Sequence, residues 1–315
     1  MNATSTTLTT LPLNRGAFEL YIFWRIIRYD GTAALLPGVL FSVVCWLGEN
    51  SFLLNWMSLL PVFGKSLLYF ACFAYTFCLS NQILGVEEDR KNNKDRPLPK
   101  GEISLRGAWV RWGLGMAVYF LVGWWLDVLL WTLLWQAISI VHNLLGGSRL
   151  WFIKNLCNGL GVYVSLYAAW DIASPGPINH NDWAEHTVWV WIVFLSVAIF
   201  ILVPLQDLRD MKGDELSGRV TFPMWFGVAW TRRFLALGFG VLISITHAML
   251  MWFAATGHVR WWLLLDTAQA ALGGLIAIRV LVLVNEKEDH RTYLLFPLWF
   301  LVMVLTPFGI VRWGG

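Results

Sequence analysis

Two stretches of this sequence gather oxygen donors at spacings that one face of a helix aligns. The first, NQILGVEEDRKNNKDRPLPKG from Asn81 to Gly101, puts Asn81, Glu88 and Asp89 at i, i+7 and i+8 if the helix continues past Asn81, with Glu87 pointing elsewhere. That helix must stop before Pro97. The second, QDLRDMKGDELSGRVTFP from Gln206 to Pro223, puts Asp207, Asp210 and Asp214 at i, i+3 and i+7. Two such stacks at one depth form a cage of carboxylate and amide oxygens. Mg2+ suits hard ligands of this kind and shares its shell with water and phosphate oxygens.

Basic side chains are interleaved with these acids, as a diphosphate would require. The candidates are Arg96, Lys154, Lys212 and Arg219, arginine being suited to bidentate phosphate contacts. Taken alone, each acid reads as a solvated loop charge and each cation as a topological one. Both clusters together, at the edge of a membrane, argue for a site, because acids are costly there. The six histidines form no HxxxH or HxxE array, and each reads as a loop or interface residue before a catalyst, His142 being the one candidate base. The cysteines Cys45, Cys72, Cys78 and Cys157 form no CxxC pair, so neither a disulfide framework nor a zinc site is expected.

The elements that must carry these residues are apolar helices. Of 315 residues, 57% are hydrophobic and only 14% charged, and the mean hydropathy is +0.59. Lipid, rather than water, is the solvent this composition suits. A net charge of +3 with no basic stripe excludes nucleic acid as a partner, and no obligatory protein partner is evident. Stretches long enough to cross a bilayer run near 31–48, 66–84, 106–123, 125–143, 155–173, 187–206, 233–255, 261–284 and 293–311. The third and fourth merge into one apolar run whose only turn signal is Gly123, so eight spans remain possible beside nine.

Charge favours nine. With nine spans, most of the 23 Lys and Arg fall on one side, leaving only Lys65, Arg260 and Arg312 on the other. The positive-inside rule then makes the N-terminus and both acidic loops cytoplasmic. The expected organisation is a cytoplasmic tail and lead-in segment over residues 1–30, then a single all-α transmembrane bundle over residues 31–315 with a cytoplasm-facing cavity. The first fourteen residues lack the basic and apolar regions of a signal peptide and read as a disordered tail. The sequon at Asn2 matters only if that tail is lumenal. In a eukaryotic host the endoplasmic reticulum is the expected membrane.

The two motifs resemble those of the UbiA superfamily of intramembrane prenyltransferases, across essentially the whole chain. Asn81 and Asp89 match the ends of the family's N-x-x-x-D-x-x-x-D, and Asp95-Arg96-Pro97-Leu98-Pro99 matches its closing D-R-P-x-P. Asp207, Asp210, Asp214, Gly218, Thr221 and Pro223 match its second motif. One position departs: the middle Asp is Gly85, and Glu88 stands directly before Asp89. That pattern, with the segment His142–Gly161, resembles a fungal branch of membrane-bound terpene cyclases. The resemblance implies nine helices, a prenyl diphosphate substrate and Mg2+ held by Asn81, Glu88, Asp89, Asp207, Asp210 and Asp214, with Glu88 replacing the lost carboxylate. Of these, Asp89, Asp207, Asp210 and Asp214 would be catalytic.

The implied reaction is ionisation of the prenyl diphosphate, farnesyl or geranylgeranyl. In a class I cyclase the cation is attacked by its own double bonds; in a prenyltransferase, by an aromatic or other lipophilic acceptor. Aromatic residues make up 16% of the chain, and Tyr69, Phe73, Phe77, Tyr163 and Tyr167 could shield a cation. Interfacial belts and ordinary packing explain most aromatics equally well. A transporter is the third possibility. Its acids would be expected near the bilayer midplane, whereas Asp127 and Asp266 fall near the non-cytoplasmic ends of their spans.

Overall fold

The structure, a computed structural model, describes residues 14–29, 31–49, 55–91, 94–174, 176, 178, 183–216, 218–254 and 260–306. The tail over 1–13, its sequon, His180 and His258 lie outside the described residues. The described residues are all-helical: α1 (Arg15–Ile27), α2 (Thr32–Glu49), α3 (Trp56–Leu84), α4 (Val86–Lys91), α5 (Leu105–Trp125), α6 (Leu129–Ser139), α7 (Trp151–Ala173), α8 (Trp183–Leu202), α9 (Pro204–Leu216), α10 (Phe222–Phe226), α11 (Val228–Ala254), α12 (Arg260–Val282) and α13 (Glu286–Leu305). A π-helical turn over Ile140–Leu144 and a 3-10 turn over Gly147–Arg149 join α6 to α7. One parallel bridge, Leu150 with Val220, is the extended pairing among the described residues.

Among the described residues, four helical segments are both long and apolar enough to cross a bilayer: Trp56–Leu84, Glu185–Glu215, Val228–Trp252 and Leu263–Val282. Ala34–Gly48 and Leu129–Leu144 are apolar but shorter. The remaining expected spans form helices diluted by polar residues. In α5 the dilution comes from Arg106, Arg111 and its glycines, in α7 from Asn158 and Asp171, and in α13 from the charged run Glu286–Arg291. Polar groups of this kind are tolerated in membrane helices that pack on other helices.

The long apolar run does divide into two helices, though not at Gly123. The break comes at Leu126–Val128, where Asp127 adopts φ 59°, a left-handed conformation that Asp tolerates better than most residues. Gly123 lies inside α5, and a Cβ there would sit 2.0 Å from Thr132 Oγ1. The glycine is thus required for the close approach of α6, as small residues are in membrane helix pairs. A second break separates α8 from α9. Pro204 at the first position of α9 lacks an N–H to continue the ladder, so the acidic turns start afresh beyond the apolar helix.

The main core is built from α2, α3, α7, α8, α11 and α13, with Trp191, Trp299, Tyr69 and Phe41 fully buried. A second, smaller core sits under the first acidic loop. There Ile22 and Ile26 of α1 meet Leu79 and Ile83 of α3 and Leu98 and Ile103 of the loop. Gln82 Nε2 donates to the Ile26 carbonyl at 2.8 Å, tying α1 to the end of α3. This satellite core fixes the segment Arg96–Pro99 against the bundle.

Candidate functional site

Gly85 caps α3, its N–H bonding the Asn81 carbonyl at 2.9 Å, and the six-residue α4 carries the acids one turn further. Glu87 turns outward to Arg90 at 2.6 Å. Asp89 turns inward and is 2% exposed, between Arg96 at 2.8 Å and Lys94 at 3.1 Å. Glu88 instead faces Arg219 at 3.0 Å. The same guanidinium reaches Asp214 at 3.1 Å, so one side chain joins the two acidic clusters across 131 residues of sequence.

On the second cluster, Asp207 is fully buried and salt-bridged to Lys154. Its other oxygen accepts from the Phe222 N–H at 3.4 Å. The loop carrying Arg219 is held by the bridge to α7, with Val220 N–H bonding the Arg149 carbonyl at 2.9 Å and Trp151 N–H the Val220 carbonyl at 3.0 Å. The Trp151 ring packs edge-on to Phe222 at 5.1 Å. Asp210 is chelated by Arg209 at 2.8 and 2.5 Å, and Arg209 lies over the Tyr293 ring at 4.1 Å.

The two clusters meet around an open chamber of about 600 Å³. Asn81, Glu88, Asp89, Asp210, Asp214, Arg96, Lys212 and Arg219 all line it; Asp207 and Lys154 are buried as a pair and do not. Lys212 sits at the rim, largely exposed and paired with Glu286. Among the described residues no three acidic, histidine or cysteine side chains converge as a ready cation cage. The physical reason is visible in the pairings: each acid is drawn to a neighbouring cation, Glu88 and Asp214 sharing Arg219. The donor set itself, carboxylates and one amide without sulfur or imidazole, fits a hard divalent cation.

Three features were missed by pattern reading. Lys94 and Arg209 contact the acids but looked like ordinary loop charges. Asn143, in the π-helical turn, is 7% exposed and donates to Ser80 Oγ at 2.8 Å, with Oδ1 2.8 Å from His142 Nδ1. A clasp from α1 also holds the first loop. Arg25 reaches Asp95 at 2.8 Å and Glu102 at 3.0 Å, and Arg28 pairs with Asp95 as well. The Arg28 hydrogen bond holds the Asp95 carboxyl below its ordinary range.

None of the five aromatics singled out by sequence lines this chamber. Phe73 and Phe77 stack on Trp135 with centroids 3.9 and 5.3 Å apart, and Tyr167 tilts on Trp131 at 4.2 Å. Tyr69 meets Tyr119 at 5.1 Å. Gly161 makes room for Trp135, whose ring would lie 2.7 Å from a Cβ there.

A family model described as the UbiA prenyltransferase family matches residues 33–302. The chain is 35% identical over 283 residues to a somaliensene A/B synthase of Streptomyces somaliensis, covering 90% of each chain. It is 30% identical to the diterpene cyclase eriG of Hericium erinaceus, covering 91% of this chain and 88% of that one. It is also 28% identical to the polyprenyl transferase eriF of the same organism, covering 92% and 94%. Among solved structures, a digeranylgeranylglyceryl phosphate synthase superposes with a TM-score of 0.63 at 16% identity, over 92% of this chain and 99% of that one. A UbiA homologue from Archaeoglobus fulgidus bound to GPP and Mg2+ gives 0.57 at 16% identity, over 90% and 99%. Both likenesses are of fold.

Proposed function

The chain belongs to the UbiA prenyltransferase family of integral membrane proteins, and from that premise we propose that it ionises a prenyl diphosphate and cyclises the resulting cation to a terpene. The observation that carries the reading is Arg219, which joins Glu88 of the first acidic cluster to Asp214 of the second in one chamber. The relatives named somaliensene A/B synthase and diterpene cyclase eriG support cyclisation as the outcome.

In this reading Asn81, Glu88, Asp89, Asp207, Asp210 and Asp214 would hold Mg2+, and Asp89, Asp207, Asp210 and Asp214 are the catalytic acids. Bound there, Mg2+ would neutralise charge developing on the departing diphosphate. Arg96, Arg219, Lys154 and Lys212 are the chain's own counter-charges for that group, with Lys212 acting from the rim. The allylic C–O bond breaks and its electron pair leaves with the diphosphate. A distant double bond of the same chain then attacks the cation, and loss of a proton ends the cascade. The apolar bundle keeps water from the cation while this happens.

The bundle crosses the membrane nine times, with the N-terminus and both acidic loops cytoplasmic, and in a eukaryotic host it resides in the endoplasmic reticulum. Farnesyl and geranylgeranyl diphosphate are the proposed substrates. A second reading, transfer of the prenyl group to an aromatic or lipophilic acceptor, has the 28% identity to a polyprenyl transferase in its favour. Incubation with Mg2+ and prenyl diphosphate, without acceptor, separates the two: a cyclic hydrocarbon supports the first reading and excludes the second.

A further inference from the structure

A second chamber of about 480 Å³ adjoins the first. The two share a wall of Asn81, Gly85, Glu88 and Arg219. Gly85 contributes no side chain to that wall, and a Cβ there would meet only the Asn81 carbonyl, at 3.1 Å. In the neighbouring chamber the cations are matched: Arg96 and Lys94 by Asp89, Arg209 by Asp210, Lys212 by Glu286. The second chamber is different. Its acid, Glu88, is committed to Arg219, while Lys91 and Arg149 have no acidic partner among the described residues. Asn143 and Ser148 add neutral polar groups to the interior. The edge is apolar, with Leu84 49% and Leu145 74% exposed.

Exposed Lys91 and Arg149 at the mouth, polar Asn143 and Ser148 within and an exposed leucine lip together have the polarity of an amphiphile: head at the cations, chain out along the leucines. We propose that this second chamber binds a phosphate-headed amphiphile without metal, its head held by Lys91 and Arg149 and its chain leaving past Leu84 and Leu145. Two sources share that chemistry: a second molecule of prenyl diphosphate, and an anionic phospholipid of the bilayer. Cations at a membrane surface attract such heads, and the chamber adds fixed geometry to that attraction.

The test is native mass spectrometry of the purified full chain in detergent with EDTA, titrated separately with farnesyl diphosphate and dioleoyl phosphatidylglycerol. The expected result is one EDTA-resistant adduct with at least one of these probes, and the probe that gives it identifies the source. Lys91→Ala/Arg149→Ala should need roughly tenfold more probe for the same occupancy, and Lys91→Arg/Arg149→Lys should restore it. Asp89→Asn, which alters the first chamber alone, should leave the adduct in place. No adduct with either probe, equal occupancy in wild type and the double alanine variant, failure of the charge-retaining pair to restore it, or loss in Asp89→Asn would each overturn the proposal. It rests on the cyclase reading only for the identity of the farnesyl probe. A protein that makes no terpene yet holds the adduct refutes that reading and leaves this one standing.

Discussion

Two chambers share one wall, and they treat charge in opposite ways. In the larger, every acid is close to a basic side chain and the acids slightly outnumber their partners, as a site for a divalent cation plus a diphosphate requires. In the smaller, cations are left over and the acid is already committed. The lesson is that the charge balance of the lining, more than the number of acids, separates a metal-assisted site from one that suits a bare anion. Arg219 stands between the two and is the residue through which one could affect the other.

That contrast can be broken most severely from the acidic side. Asp89→Asn and Asp207→Asn should each lower turnover by about 10³-fold or more, because in the proposed reading each carboxylate holds the Mg2+ that would neutralise the leaving group. Circular dichroism and membrane retention should stay unchanged, since the amide keeps most of the shape. Full activity in Asp89→Asn removes the basis for the larger chamber as the reaction site, and full activity in Asp207→Asn removes Asp207 from the metal-holding set. Glu88→Gln should follow at about 10²-fold if Glu88 replaces the carboxylate missing at Gly85. A mild effect there would return Glu88 to the role of a loop charge.

Arg219→Lys comes next, at roughly tenfold in kcat/KM, because a lysine cannot serve two carboxylates in a fork as a guanidinium does. Removing the clasp should matter less. Asp95→Ala removes a half-exposed carboxylate while Arg25 keeps Glu102, and a change of about threefold in KM with little in kcat is expected. The smallest effect belongs to Lys91→Ala/Arg149→Ala, whose Mg2+-dependent turnover at low substrate should remain within about twofold of wild type. A large loss there would mean that the two chambers are one site.

Much of this was legible in the sequence because the informative residues are expensive ones. Acids at the end of an apolar span stand out against their surroundings, and the matches at Asp207, Asp210 and Asp214 needed no structure to find. The helical character of the bundle was equally plain from hydropathy. What could not be read was tertiary. Gly123 is a turn signal by type, yet here it serves close packing against Thr132, and the turn falls to Asp127. Which cation meets which acid depends on folding, so Lys154 was found as a candidate but its burial against Asp207 was not. The smaller chamber depends on a π-helical turn at Ile140–Leu144 that has no clear periodic signature. Tyr69, Phe73 and Phe77 read as helix packing before a pocket lining, and their rings do pack on Tyr119 and Trp135.

The central claim is that the larger chamber ionises a prenyl diphosphate and that the chain of the same molecule captures the cation. The most direct measurement uses purified protein with Mg2+ and the ten-, fifteen- and twenty-carbon prenyl diphosphates, no acceptor added, with products read by gas chromatography and mass spectrometry. The account predicts a cyclic hydrocarbon from one of the longer two substrates, abolished by EDTA and restored by Mg2+. Only free prenyl alcohol, or a cyclic product that persists in EDTA, would contradict it.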